Sequence, residues 1–200
     1  MESMRGWSPA DPGHGDARSS GWWPLMLRLT TERLELVAGN LEISEAELLG
    51  RDRLGFLLEA DVPAWPPPLN DMDSMRYMRD YFSRHPHSRG WGVWYFLLRR
   101  DGMRPEVIGN GGFKGEPDAG GTVEIGYSLL EPHHGKGYAG EAIQALIDWA
   151  FSRPGVRRVI AETLPELTPS IRLLQKLGFR NIEPASEPGL LRFERLPPSR

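Results

Sequence analysis

Cysteine is missing altogether from these 200 residues, which excludes disulfides, thiolate metal sites and a cysteine nucleophile, and leaves the compartment open. An excess of one charge is missing too. The 24 Lys and Arg stand against 27 Asp and Glu, a formal net charge of −3, so there is no electrostatic ground for a nucleic-acid or membrane-surface partner. No apolar run is long enough to span a bilayer and no signal-type apolar stretch opens the chain, so the expectation is a cytoplasmic protein. What is present, 40% hydrophobic and 26% charged residues, suits one α/β or α+β domain with a single sizeable core.

Residues 1–25 are rich in Gly, Pro, Ser and Asp without periodicity, which predicts a disordered leader, since so little can be buried to offset chain entropy. Trp22 and Trp23 offer its apolar anchors, and Met26 is an alternative start because patterned sequence begins directly after it. The expected domain is 26–196, with 197–200 as a tail. Leu27, Leu29, Leu34 and Leu36 alternate with polar residues at the period of a half-buried strand. Apolar residues between 40 and 60, Leu41, Ile43, Leu48, Leu49, Phe56, Leu57 and Leu58 among them, predict one or two short helices broken near Gly50 to Gly55. The prolines of 61–68 exclude helix and central strand and predict an ordered loop carrying Trp65. Asp71 or Asp73 then caps a helix in which Met72, Met75, Tyr77, Met78, Tyr81 and Phe82 recur at helical spacing, a stripe that reads first as core packing.

Three strands, 91–98, 106–113 and 122–129, follow with short turn-rich connections that cannot hold a parallel crossover, so an antiparallel meander is expected. A long helix over 136–151 places Ala139, Ala142, Ile143, Leu146, Ile147 and Ala150 on one face and Glu141, Gln144 and Asp148 opposite. The strand at 156–163 is then parallel to the one before the helix. Thr168 as N-cap, Pro169 inside the first turn and Gly178 after the end delimit a last helix, and two closing strands are predicted over 179–184 and 190–196.

The stretch His134-Gly-Lys-Gly-Tyr-Ala-Gly140 lies between a strand and an amphipathic helix. Glycines let a ligand approach the main chain, and the helix behind them presents unpaired N–H groups with a partial positive charge, which makes an anion site. Its spelling satisfies the dinucleotide pattern G-x-G-x-x-G, with Glu162 near the place of the acidic ribose partner. Against that reading, Glu131-Pro-His-His intervenes after the strand, the upstream strands are antiparallel, and only one βαβ unit is present. The pattern of a P-loop fails because glycine follows Gly135-Lys136 where Ser or Thr is required. A strand that splays from its parallel neighbour above a helix N-terminus also suits coenzyme A, whose amide arm can pair with the strand edge while its pyrophosphate rests on the turn.

Over about 27–196 the sequence resembles the GNAT superfamily of acetyl-CoA-dependent N-acetyltransferases, in particular its ribosomal-protein N-terminal acetyltransferase branch. The segments that carry the resemblance are Leu29-Thr-Thr-Glu-Arg-Leu34, Glu124-Ile-Gly-Tyr-Ser-Leu129, the glycine turn, and 165–179 ending Gln-Lys-Leu-Gly-Phe. The resemblance implies an α+β fold (α/β in some schemes), with one mixed, mostly antiparallel sheet of about six or seven strands flanked by helices. It implies acetyl-CoA as cosubstrate, no metal, a primary-amine acceptor attacked directly, no nucleic-acid or membrane partner, and room for a homodimer. The coenzyme turn maps onto His134, Gly135, Lys136, Gly137, Tyr138, Ala139 and Gly140, with His134 where the family has Gln or Arg; the pantetheine-pairing strand end maps onto Tyr127, Ser128 and Leu129. Glu124 corresponds to the carboxylate used as base by several relatives, and Ser170 to the serine that donates to the coenzyme sulfur. Leu167 and Leu174 stand where the family often has an asparagine and a tyrosine acid. That leaves a catalytically weak coenzyme A-binding module as an alternative, with a dinucleotide-dependent oxidoreductase behind it. His133 and His134 find no third metal ligand and read as loop residues, and Glu162 reads as a surface or acceptor-site carboxylate. The acceptor pocket is expected across the sheet from the coenzyme, lined by Trp65, the helix at 71–82, Trp91 and Trp94. Its aromatic walls suit an apolar or cationic acceptor and equally suit plain core, and protein N-termini, amino acids, polyamines and antibiotic amines all remain open.

Overall fold

The computed structural model describes residues 26–198; the expected leader with Trp22 and Trp23, and the final two residues of the tail, lie outside the described residues. The chain enters through a hairpin of β1 (Arg28–Thr30) and β2 (Leu34–Ala38), antiparallel with Leu29 opposite Leu36. Alternation alone predicts one strand over this stretch. Thr31, Glu32 and Arg33 turn the chain instead, and the Thr31 hydroxyl accepts from the Leu34 N–H at 3.0 Å, a side-chain-to-backbone bond that competes with strand extension.

Helices α1 (Leu41–Leu49) and α2 (Arg51–Leu58) follow. The Asn40 side chain accepts from Ile43 N at 2.9 Å and caps the first, and Gly50, at φ 122°, divides the two in a conformation open to glycine. The proline-rich loop leads to α3 (Met72–Arg84), capped by Asp71 through Ser74 N at 2.8 Å. Strands β3 (Val93–Leu98), β4 (Glu106–Phe113) and β5 (Thr122–Leu129) form the expected antiparallel meander. Helix α4 (Tyr138–Phe151) carries the chain to β6 (Arg158–Thr163), which is parallel to β5. Helix α5 (Thr168–Lys176), β7 (Arg180–Ile182) and β8 (Leu191–Arg195) complete it. Among the described residues the eight strands make one sheet in the order β1-β2-β3-β4-β5-β6-β8-β7; the hairpin at the entry raises the count above the expected number.

Strand alternation divides the core between the two faces of the sheet. Leu34, Leu36, Trp94, Phe96 and Ile108 point toward α4 and α5 and pack with Ile143, Leu146, Ile147 and Leu174. Val37, Tyr95, Leu97 and Val107 point the other way and pack with Ile43, Leu54, Leu58 and Phe82 of α1, α2 and α3. No described helix is long and apolar enough to cross a membrane. The N-cap of α5 differs from expectation: Leu167 holds that position without a side-chain cap, and Thr168 is already helical. Pro169 in the first turn has no N–H to satisfy, which removes one donor that a cap would serve.

Candidate active site

Strands β5 and β6 pair only from Thr122 opposite Arg158 to Glu124 opposite Ile160. Beyond that point β6 stays with β8, from Ala161 opposite Phe193 to Thr163 opposite Leu191, while β5 runs on beside β4 as far as Leu129 opposite Gly109. The two parallel strands therefore part, and the edge of β5 over Tyr127, Ser128 and Leu129 borders a wedge. Main-chain groups along such an edge can bind an extended chain as a strand would.

The glycine turn closes the open end of that wedge. Gly135 and Gly137 sit at φ 72° and 84°, where a Cβ is strained, and open space surrounds the Cβ position of Gly135. Gly137 is the N-cap of α4 and provides no side-chain cap, so the first N–H groups of the helix, those of Tyr138, Ala139 and Gly140, are left without intrahelical partners. Gly140 faces α5, where a Cβ would stand 3.3 Å from Leu173 Cδ1. His134, the departure from the family's spelling, braces the turn, because its Nε2 lies 2.8 Å from the Leu129 carbonyl. A carbonyl only accepts, so the ring carries its proton on Nε2, and the turn is tied to the end of β5. His133 Nε2 is engaged at 3.0 Å by Glu106.

Arg33 and Glu141 belong to the site although the sequence pattern places them merely on polar faces. The Arg33 guanidinium donates to Glu141 Oε2 at 2.7 Å and to the Lys136 carbonyl at 3.0 Å, and it stacks 4.5 Å from the Tyr138 ring centroid. Glu141 Oε1 also accepts from the Thr31 hydroxyl at 2.6 Å and from Arg33 N at 2.7 Å. Burial pushes the Glu141 carboxyl up, but these donors outweigh it and hold the group below the ordinary carboxylate range. The Thr31-Glu-Arg33 segment of the hairpin thus clasps the glycine turn from outside.

On the α5 side of the wedge, the Tyr127 phenol lies 2.9 Å from Ser170 Oγ. Burial raises the Tyr127 pKa, with the Ser170 bond pulling the other way, so the phenol keeps its proton. Leu174 is buried in the core between α5 and the sheet, and Leu167 stands at the N-cap of α5. Glu124 is half-buried on β5 and paired with Lys114. Glu162, expected at the surface or the acceptor site, is instead a structural anchor: its side chain is 5% exposed, and it accepts from Arg192 Nε at 2.6 Å and Ser186 N at 2.8 Å.

Across the sheet a cavity of about 440 Å³ lies between α3 and strands β4 and β5, with Asn70, Met75, Tyr77, Asn110, Lys114 and Ser128 in its wall. Trp65 is not in that wall; it packs 5.9 Å from Tyr95 and donates from Nε1 to Glu47 at 3.0 Å. Trp91 and Trp94 lie on the opposite face, clustered with Trp149 at 4.7 and 5.5 Å, and Trp94 is fully buried. Trp94 is therefore core, and the register of β3 rather than its aromatic content decides this. Glu47, which the motifs along the chain do not single out, does line the cavity. Its signal is a carboxylate four residues after Ile43 on the apolar side of α1.

The Acetyltransferase (GNAT) domain family matches residues 43–180. The chain is 31% identical over 158 residues to the uncharacterized N-acetyltransferase YjdG of Bacillus subtilis, covering 77% of this chain and 90% of that protein. Its fold is that of an acetyltransferase from Agrobacterium tumefaciens, at a TM-score of 0.59 and 24% identity over 86% of this chain and 96% of the other. A microcin self-immunity acetyltransferase solved with acetyl-CoA and AMP superimposes at a TM-score of 0.55 and 17% identity, covering 82% and 93% of the two chains.

Proposed function

This chain belongs to the GNAT acetyltransferase family, and from that premise we propose that it moves the acetyl group of acetyl-CoA to a primary amine by direct attack, with the coenzyme in the β5–β6 wedge and the amine entering from the α3 cavity. The observation that carries the assignment is the parting of β5 from β6 at the uncapped N-terminus of α4. The residues suit the coenzyme: Tyr127, Ser128 and Leu129 border an edge not paired with β6 that suits an amide-bearing arm, the Leu129 carbonyl being held by His134, and the turn from His134 to Gly140 offers N–H groups for a pyrophosphate, with Lys136 beside them. One parallel strand pair at this site does not make the doubly wound sheet that a dinucleotide would need.

Bound there, the thioester supplies an activated acetyl carbonyl. Attack requires a neutral amine, so a proton must leave the nitrogen as the N–C bond forms and the C–S bond breaks, and the departing sulfur must be stabilised. We assign the first role to Glu124, acting directly or through water after its pair with Lys114 loosens. Ser170 takes the second, donating a hydrogen bond toward the sulfur while the Tyr127 phenol, 2.9 Å away, keeps its own proton and donates to Ser170 Oγ; the proton that ends on the sulfur is the one taken from the amine, passed on by Glu124 or water. This pair gives the leaving sulfur a hydrogen-bond donor where Leu174 gives none, which favours an active enzyme over a coenzyme-binding module.

Calorimetry with acetyl-CoA and with NAD(H), followed by thiol release over a panel of amines, tests the reading. Binding of acetyl-CoA with acceptor-dependent thiol release is expected; binding of NAD(H) without acetyl-CoA would overturn it.

A further inference from the structure

Glu47 is a buried carboxylate that acetyl transfer does not use. The residue is 5% exposed, and its oxygens accept from Trp65 Nε1 at 3.0 Å and from the Tyr95 hydroxyl at 2.8 Å. Both donors are neutral. Burial pushes its pKa up, Tyr95, Trp65 and the nearby Asn70 amide oppose this, and among the described residues no cation contributes. Buried charges in proteins are as a rule paired, because desolvating a carboxylate among neutral donors is costly. Of the other charged residues in the cavity wall, Lys114 is engaged by Glu124 and Asp73 by Arg76. Glu47 is left as the carboxyl group of the cavity wall with no cationic partner among the described residues.

Its position relative to the wedge follows from strand register. Tyr95 pairs with Asn110, and Asn110 with Ser128, so the three form one row across β3, β4 and β5 on the face toward α3. With neighbouring strands about 4.8 Å apart, the Tyr95 end of the row lies about 10 Å from the Ser128 end. Ser128 borders the coenzyme wedge, and Tyr95 carries Glu47. Asn110 is buried midway, and the Asn70 Nδ2 in the same wall is buried without a partner in hydrogen-bond geometry. The cavity wall thus carries polar groups at Ser128, where the acetyl group would be delivered, at Asn110 and Asn70, and at the Glu47 carboxyl, which has no cationic partner among the described residues.

We propose that this cavity takes an acceptor with two cationic nitrogens, a linear diamine in its simplest form, one nitrogen reacting at the Ser128 end while the other remains an ammonium paired with Glu47. This rests on the acetyl-transfer reading and adds the acceptor class to it. The reacting nitrogen loses its proton to the base, forms the bond to the acetyl carbon and expels the sulfur, which takes up a proton. The distal ammonium is unchanged, so the product is a monoacetylated monocation. Selection acts through binding of the distal group, so it appears in KM more than in kcat.

The test is thiol release from acetyl-CoA with linear diamines of increasing length set against monoamines of matched length, in the wild-type protein and in Glu47→Gln. The expected result is a KM about tenfold or more lower for a diamine than for its monoamine, an advantage that falls to about one in Glu47→Gln. The wild-type comparison stands even if that variant fails to fold. Equal use of diamines and monoamines overturns the inference, as does a Glu47→Gln protein that keeps the diamine advantage, and both leave the acetyl-transfer reading intact. If acetyl-CoA is not bound at all, that reading fails separately. The diamine site is then judged by calorimetric titration with the diamines alone, where binding that is lost in Glu47→Gln supports it and absent binding sinks it.

Discussion

At the α4 end of the site, Glu141 is ringed by donors from Thr31 and Arg33 and its pKa is lowered; at the α3 end, Glu47 is buried with only neutral donors and its pKa is raised. Two glutamates of one protein are thus driven in opposite directions, Glu141 down by donors that outweigh its burial and Glu47 up by burial that its neutral donors do not offset. The first is a finished structural contact that fixes the backbone of the glycine turn. The second is an incomplete one, open toward a cavity. On the proposed reading, the coenzyme end is built from main-chain geometry that side chains hold in place, whereas the acceptor end is built from side chains whose pairing a ligand would complete.

The sharpest way to divide the two ends is to remove the chemistry between them. Glu124→Gln is expected to lower kcat about 10²- to 10⁴-fold, the span typical of a lost general base, with little change in acetyl-CoA affinity; full turnover on an identified acceptor would remove Glu124 from the mechanism. Gly137→Val attacks the coenzyme end through the backbone. At φ 84° a β-branched residue is strained, and Arg33 Nη2, 3.3 Å from the added Cβ, must give way, so the acetyl-CoA dissociation constant measured by calorimetry should rise about 100-fold, equivalent to roughly 2.7 kcal/mol of strain and lost contacts. Arg33→Ala removes only the outer clasp and should weaken acetyl-CoA by about tenfold. Since Arg33 is partly exposed, its stability cost should stay below about 1 kcal/mol in urea unfolding.

The smallest effect bears on the carboxylates themselves. Glu141 has a depressed pKa, so its contribution to stability is present above the unfolded value of about 4.3 and is lost as pH falls through the lower folded value. Glu47 has a raised pKa, so the folded state binds the extra proton, and stability declines as pH rises from about 4.3 through the folded value. Melting temperatures of Glu141→Gln and Glu47→Gln, each compared with the wild type across acid to neutral pH, should therefore diverge in opposite senses. Parallel curves would mean that the two groups do not differ as described.

Much of this is legible along the chain. The bounds of β4 and β5, the antiparallel meander and the parallel return through α4 follow from alternation, turn residues and connection length, all local properties. What escapes a reading along the chain depends on contacts between distant segments. Arg33 looks like one more polar residue in an alternating stretch, yet its partner lies in α4 across the fold. In α1 the apolar count favours Leu48 and Leu49, but Leu49 is 78% exposed while Glu47 is 5% exposed. Helical periodicity offers several faces in so short a segment, and Tyr95 and Trp65 decide which one turns inward. The chemistry of Trp91 and Trp94 suggests the acceptor side, and β3 register sends Trp94 to the other.

By itself, then, the sequence determined the glycine turn, the helix that starts at it, and the family to which they belong, because conformation at Gly135 and Gly137 and the periodicity of α4 depend on neighbouring residues alone. Only the tertiary structure decided that His134 ties that turn to Leu129, that the Thr31 to Arg33 hairpin clasps it, and that Glu47 is a carboxyl group buried against the cavity among neutral donors. The reason is physical. A backbone preference is set over a few residues, whereas a carboxylate's charge state and partner depend on what the folded chain brings within hydrogen-bonding distance of it.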